Sequence, residues 1–102
     1  MAKKIVELTS KRKVELKEMS IDEMDFCSDQ TIVIAAEDGS PSVYGMSRAR
    51  TAWLRRGIKG GDFKGFKLGS DGYPVDNVLK QLSEEEKNEL NKEIQEYQKL
   101  GE

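Results

Sequence analysis

The sequence of 102 residues contains no histidine and a single cysteine, Cys27. Histidine is the commonest general base and the commonest ligand of transition metals, so its absence argues against an enzyme. One cysteine without histidine excludes the usual structural zinc sites and an internal disulfide bond. A thiol with no histidine to activate it is best explained as a buried structural residue. We therefore expect no catalytic residue, no metal and no cofactor.

Long apolar runs are also missing. The longest, Ile32 to Ala36, is as long as a β-strand and much shorter than the roughly 20 residues of a membrane-spanning helix. The first residues, Met1 to Val6, lack the apolar region of a signal peptide. A lone cysteine is typical of a reducing compartment. These absences predict a cytoplasmic protein with no membrane partner.

Charged residues make up 35 % of the chain, but they are distributed unevenly. Residues 1–44 carry six basic and nine acidic side chains, a net charge of −3. Residues 45–68, the basic centre, carry seven basic side chains and one acidic, a net charge of +6. Residues 69–102 carry four basic and nine acidic side chains, a net charge of −5. The basic centre is either a surface for a polyanion or the complement of the chain's own acidic C-terminal helix.

Apolar residues at every second position predict β-structure in the first half of the chain. Residues 5–8 and 14–16 read as two extended segments with a polar turn between them. Residues 31–36 are rich in β-branched side chains and predict a third strand. The turn signal of residues 37–41, which contains Asp-Gly, brings the chain back as a hairpin through Tyr44.

Helices are predicted from their N-terminal capping signals. Ser20 with Glu23, and Ser83 with Glu86, match the capping box, in which a serine and a glutamate three residues later satisfy each other's backbone amides. Ser47 is a further candidate N-cap. The predicted helices cover residues 20–28, 47–57, a short segment from Asp76, and 83–100. Leu90, Ile94, Tyr97 and Leu100 form a narrow apolar stripe on the last of them.

The segment 57–73 is rich in glycine and lysine, and three aromatic residues are interleaved with them. We predict an irregular, glycine-rich loop over this range, of the kind that is often functional. A phosphate-binding loop of the Walker type needs a lysine followed by serine or threonine after the glycines, and the chain has no such pair. The predicted fold is a single α+β domain over 1–102, with a small sheet and a β-hairpin packed against two or three helices and a long C-terminal helix.

The passage Val14-Glu15-Leu16-Lys17-Glu18-Met19-Ser20-Ile21-Asp22-Glu23-Met24, a strand that runs directly into a capped helix, resembles small tail assembly chaperones and related minor morphogenesis proteins of tailed bacteriophages. The charged helix 83–100 is similar to the one with which such proteins end. The resemblance implies a non-enzymatic protein that holds another structural protein during assembly. It covers about a third of the chain and carries over no functional residue.

The sequence therefore predicts a non-enzymatic binding or assembly protein of the cytoplasm, with a protein partner or a second copy of itself as the ligand. One alternative is a small connector or accessory subunit of the finished virion. Another is a nucleic-acid-binding regulator that uses residues 48–67, the part of the basic centre that contains all its basic side chains, although a sequence pI of 5.3 argues against it. For the assembly protein, we expect the partner at the stripe of the last helix, at the glycine-rich loop, or at both. The candidate contact residues are Trp53, Arg55, Arg56, Lys59, Phe63, Phe66 and Tyr73, with Trp53 as a core residue in the alternative interpretation.

Overall fold

Two short antiparallel strands open the part of the chain that the computed structural model describes, residues 4–100. The two extended segments predicted near the N-terminus are confirmed as β1 and β2, and Val6 lies opposite Val14 with both side chains buried. The elements in chain order are β1 (Lys4–Glu7), β2 (Lys13–Leu16), α1 (Ile21–Ser28), β3 (Ile32–Ala35), β4 (Pro41–Tyr44), α2 (Met46–Gly57), β5 (Ile58–Gly61), α3 (Asp76–Leu79) and α4 (Glu84–Leu100). The fold is α+β, as predicted.

The prediction of an irregular loop over 57–73 is wrong at its start, because β5 forms there and pairs with β2. The resulting sheet has three strands in the order β1-β2-β5. Gly61 has a φ of 134°, and a Cβ at this position would lie 2.5 Å from the backbone oxygen of Lys13. Only glycine fits such a close approach, so the glycines that suggested flexibility serve strand pairing here. Asp62 extends the contact by donating its backbone N–H to the Lys13 oxygen at 2.8 Å.

The capping boxes form as predicted at two helices. Ser20 and Glu23 exchange side-chain and backbone hydrogen bonds at the start of α1, and Ser83 and Glu86 do the same at the start of α4. The prediction that Ser47 caps α2 is wrong, because this helix begins at Met46 and its N-cap position is Gly45, two residues before Ser47. Gly45 has a φ of 82°, so it turns the chain out of β4, and it gives the helix no side-chain cap.

The core lies between the three-stranded sheet and the helices α2 and α4. Leu54 and Ile58 on one side, and Leu90 and Ile94 on the other, are almost completely buried. A Cβ at Gly57 would lie 2.4 Å from Ile94 Cγ2, so the missing side chain allows the two helices to approach closely. The stripe of α4 is thus part of this chain's own core and is not free to meet a partner at Leu90 and Ile94. The side chain of Leu100, which we predicted on the same stripe, lies outside the described residues.

Cys27 on α1 is fully buried, and burial raises the pKa of its thiol to about 11. The prediction that this thiol is buried is confirmed, and its raised pKa keeps it protonated at neutral pH.

Glu86 joins the turn between β1 and β2 to the start of α4. Its carboxylate accepts hydrogen bonds at 2.8 Å from both the Ser10 hydroxyl and Arg12 Nε, and its backbone N–H is capped by Ser83. Burial alone would raise the pKa of Glu86, but the hydrogen bonds from Ser83, Arg12 and Ser10 outweigh it and lower the pKa to about 2. This carboxylate is therefore ionised at neutral pH and held in place by its hydrogen bonds.

Candidate protein-binding site

The predicted aromatic contact residues are largely used by the chain itself. Trp53, Phe63 and Phe66 are partly buried and pack against the core. The rings of Phe63 and Phe66 are 6.0 Å apart, and the guanidinium of Arg12 lies 5.1 Å from the centre of the Phe63 ring. The alternative interpretation of Trp53 as a core residue matches this placement. These rings leave little apolar area for a partner.

Two of the predicted arginines are held by neighbouring groups. Arg55 donates to the backbone oxygen of Pro74 at 2.8 Å and forms an ion pair with Asp76. The guanidinium of Arg56 lies 3.9 Å from the centre of the Phe26 ring and 4.9 Å from that of Tyr73. Arg55 and Arg56 thus fix the segment around Pro74 to helices α1 and α2, and Tyr73 belongs to the same cluster.

The basic centre divides into paired and unpaired cations. Arg50 forms an ion pair with Glu84 at 2.7 Å and donates to Asn88, which connects α2 with α4. The hydrogen bond and charge of Arg50 keep the pKa of Glu84 below its usual range. For Arg50, therefore, the basic centre is the complement of the acidic C-terminal helix. Within residues 4–100, the exposed cations of the basic centre that make no ion pair are Arg48, Lys59, Lys64 and Lys67.

Five of the ten exposed large apolar residues in the described part of the chain belong to the β3–β4 hairpin, residues 32–44, which was not predicted as a site. Its strands pair with each other in a separate two-stranded sheet, and every residue from 31 to 41 is exposed. Each of its five large apolar residues exposes half or more of its surface to solvent: Ile32 (50 %), Val33 (65 %), Ile34 (53 %), Val43 (50 %) and Tyr44 (55 %). A two-stranded hairpin in water is at best marginally stable alone, so a surface like this one is typical of an interaction site.

Both faces of the hairpin are apolar. Side chains alternate between the faces of a strand, so Ile32, Ile34 and Tyr44 share one face, while Val33 and Val43 share the other. The two charged residues of the hairpin, Glu37 and Asp38, lie in its turn. In contrast, β2 alternates Lys13 and Glu15 with two buried residues, as a half-solvated strand should. The missing polar face was the sequence signal that could have identified the hairpin as a site.

The turn of the hairpin is well defined. Ala36 donates its backbone N–H to the oxygen of Ser40 at 2.8 Å, and Gly39 has a φ of 84°. The carboxylate of Asp38 accepts hydrogen bonds from the Ser40 backbone N–H at 2.9 Å and from the Ser40 hydroxyl. These hydrogen bonds from Ser40 lower the pKa of Asp38 below its usual range. The tip of the hairpin therefore presents the ionised carboxylate of Asp38 at neutral pH.

A basic groove of about 360 Å³ lies at the base of the hairpin, between α1 and α2. Phe26 and Gln30 line it from one side, and three arginines line it from the other. Its complete lining is Phe26, Gln30, Ser47, Arg48, Thr51, Ala52, Arg55 and Arg56, which includes no acidic side chain. The groove thus offers positive charge next to the apolar hairpin.

A second groove, of about 410 Å³, lies beside the three-stranded sheet. Lys59, which we predicted as a contact residue, lines it together with Lys17 and Glu15, so charges of both signs alternate around it. Nothing in this arrangement resembles a nucleophile with its base. Among the described residues, no group of three Asp, Glu or Cys side chains is arranged to hold a metal ion, and no helix is long and apolar enough to cross a membrane.

Comparison with known proteins adds no assignment to this site. No protein-family model, no curated protein and no solved structure matches the chain.

Proposed function

We propose that this chain is a non-enzymatic assembly protein that binds a protein partner through its β3–β4 hairpin. The observation that carries the proposal is the exposure of five large apolar side chains on both faces of one short ribbon. A partner that covers the hairpin removes apolar surface from water and also meets its unpaired strand edges. The body of the molecule, in contrast, places its apolar residues in a core of its own.

The free energy gained by covering these apolar side chains is of the size expected for a binding site. Complete burial of a side chain of this size contributes roughly 1.5–3 kcal/mol, so covering the exposed half of five of them contributes about 4–8 kcal/mol. Association costs about 4–15 kcal/mol in lost freedom of movement, so hydrophobic burial has to be combined with strand pairing or charge to give a stable complex. The hairpin edge and the neighbouring basic groove supply those two contributions.

The resemblance to small tail assembly chaperones of bacteriophages gives this proposal its most specific form. In that form the hairpin holds a structural protein in the host cytoplasm during assembly. The alternative, a connector or accessory subunit, differs in its fate, because such a subunit stays in the purified particle whereas a chaperone leaves. The nucleic-acid alternative is less well supported, because Arg50, Arg55 and Arg56 all have partners within the chain.

Site-specific photo-crosslinking tests the proposal. A benzoylphenylalanine introduced in place of Tyr44 reports on the hairpin, and one in place of Lys92, an exposed residue of α4, is the matched control. In the cells that make the protein, we expect a covalent adduct from position 44 and none from position 92, with the attached protein identified by its peptide masses. No adduct at position 44, or equal adducts from both positions, would refute the hairpin as the binding site.

A further inference from the structure

We propose that the partner of the hairpin is a second copy of this chain, and that the two hairpins pair antiparallel so that each acidic tip meets the basic groove of the other copy. This inference rests on the proposed function and names the partner. Three features of the hairpin support it: one open strand edge, the position of the charges, and the apolar character of both faces.

The first feature is the edge of β3. The backbone of Ala36 bonds inward to Ser40, and hydrogen-bonding direction alternates along an antiparallel ladder. The backbone groups of Val33 and Ala35 therefore point outward, away from β4. Val33 lies opposite Val43, and Ala35 opposite Pro41, at the positions without mutual hydrogen bonds. On the other edge, Pro41 has no N–H to offer, so β3 is the edge that can accept another strand.

The edge of β3 also lacks the usual protection against pairing. Natural edge strands carry lysine, proline or an inward-pointing charge that discourages pairing with a second chain. From Ile32 to Ala35, β3 carries none of these. An uncharged strand can meet its own copy across a twofold axis without placing like charges opposite each other.

The second feature is the position of the charges. Antiparallel pairing of two β3 strands centred on Ile34 puts Val33 of one copy opposite Ala35 of the other, so the outward backbone groups match. Beyond the ends of the strands, the same register brings the turn that contains Asp38 of one copy towards the end of β3 at which Gln30 of the other copy lies. Gln30 lines the basic groove, where Arg48 is exposed and makes no ion pair within residues 4–100. Each acidic tip then lies at the positive groove of its partner.

A register centred on Val33 is less favourable than the one centred on Ile34. It moves the acidic turn of one copy, with Glu37, towards Asp29 of the other, beyond the ends of the two strands. Like charges that approach each other weaken the pairing.

The third feature is the apolar character of both faces. Pairing of the two β3 edges joins the hairpins into one four-stranded sheet, in which Ile34 of one copy becomes a neighbour of Ile34 of the other on one face, and Val33 a neighbour of Ala35 on the opposite face. Apolar neighbours of this kind stabilise the pairing of two strands, and no charged side chain of β3 lies between them.

The first experiment measures the oligomeric state of the purified full chain by sedimentation velocity, from low micromolar to several hundred micromolar. The informative variant is Ile34→Lys, which places two lysines at the twofold axis, and the control is Ile5→Lys. Ile5 on β1 is 57 % exposed and Ile34 is 53 % exposed, so the two changes are closely matched. We expect Ile34→Lys to weaken dimerisation about a hundredfold and Ile5→Lys to leave it unchanged.

The second experiment reverses the charges at the tip and at the groove. Glu37→Arg and Arg48→Glu each put like charges together twice in the symmetric dimer, so each is expected to weaken dimerisation about tenfold. The double variant restores opposite charges, and we expect it to recover most of the lost affinity. Asp38 is left unchanged because its carboxylate holds the turn. Circular dichroism of each variant monitors the fold.

The outcomes separate this inference from the proposed function. A monomer at every concentration, a dimer that ignores Ile34→Lys, or a charge reversal without rescue overturns the self-pairing. If position 44 still crosslinks to a different protein, the hairpin remains a binding site and only the identity of its partner is wrong. A dimer that is broken by Ile34→Lys and rescued by the double charge reversal supports the antiparallel arrangement.

Discussion

The buried carboxylate of Glu86 is expected to carry a large share of the stability of the fold. It accepts hydrogen bonds from Ser10 and Arg12 and joins the β1–β2 turn to α4. The preceding residue, Glu85, is exposed and makes no ion pair or side-chain hydrogen bond within residues 4–100. The pair of variants Glu86→Gln and Glu85→Gln therefore makes the same chemical change at two neighbouring positions of one helical turn.

The magnitude follows from the depressed pKa of Glu86, about 2 compared with an ordinary value of 4.5. Each pKa unit corresponds to about 1.4 kcal/mol, so the ionised carboxylate stabilises the folded state by about 3 kcal/mol at neutral pH. Because the pKa is lower in the folded state, this stabilisation is fully present above the unfolded-state value of 4.5 and is lost as the pH falls towards 2. Glutamine keeps one acceptor oxygen, so we expect Glu86→Gln to cost about 2–3 kcal/mol.

Urea denaturation, followed by the circular dichroism of the helices, measures these differences. At about pH 7, Glu86→Gln is expected to lower the free energy of unfolding by about 2–3 kcal/mol and Glu85→Gln by less than about 0.5 kcal/mol. The gap between wild type and Glu86→Gln should narrow as the pH falls from about 4.5 to about 2.5, because the carboxylate is protonated in the unfolded chain over this range and the advantage of its low pKa in the folded state is lost. Equal losses at the two positions, or a gap that does not change with pH, would refute the role given to Glu86.

Two further changes test the packing of the body and its independence from the hairpin. Gly57→Ala is expected to lower the free energy of unfolding by about 1–3 kcal/mol, because the added methyl group overlaps Ile94 Cγ2. An unchanged melting temperature would show that α2 and α4 are not in such close contact. Replacement of residues 32–44 by a short glycine-serine linker is expected to change the free energy of unfolding of the rest of the chain by less than about 1 kcal/mol. Gly45 lies directly against the backbone of Gln30, so the linker has only a short distance to span. Loss of cooperative unfolding in the thermal melt would contradict this.

The elements that could be predicted from the sequence are those that are specified locally. Ser20 with Glu23, and Ser83 with Glu86, form capping boxes within four residues, so the two helix starts follow from the residues themselves. The turn of the hairpin is equally local. Gly45 was not predicted as the residue before α2, because its φ of 82° is set by the position of the preceding strand and has no signature in the helix.

The elements that the sequence did not predict depend on contacts between distant residues. β5 contains two glycines and little β-propensity, and it is a strand because β2 provides an edge for it more than 40 positions earlier in the chain. The role of Arg50 has the same origin, since Glu84 belongs to a helix that begins far along the sequence. Trp53, Phe63 and Phe66 were selected as contacts because aromatic residues often are, but long-range packing directs them towards the core.

The chain separates the residues that hold its fold from those that we propose to bind a partner. The body has capped helices, a buried carboxylate and a continuous core, so it has the means to fold without help from the hairpin. The hairpin has a well-formed turn but no polar face and no protected edge on β3, and a strand with those properties is a liability unless something covers it. A polar substitution such as Ile34→Lys would remove that liability at little cost to the folded monomer, because the side chain is already 53 % exposed. The apolar hairpin is therefore better explained by the binding that we propose for it than by the stability of the single chain.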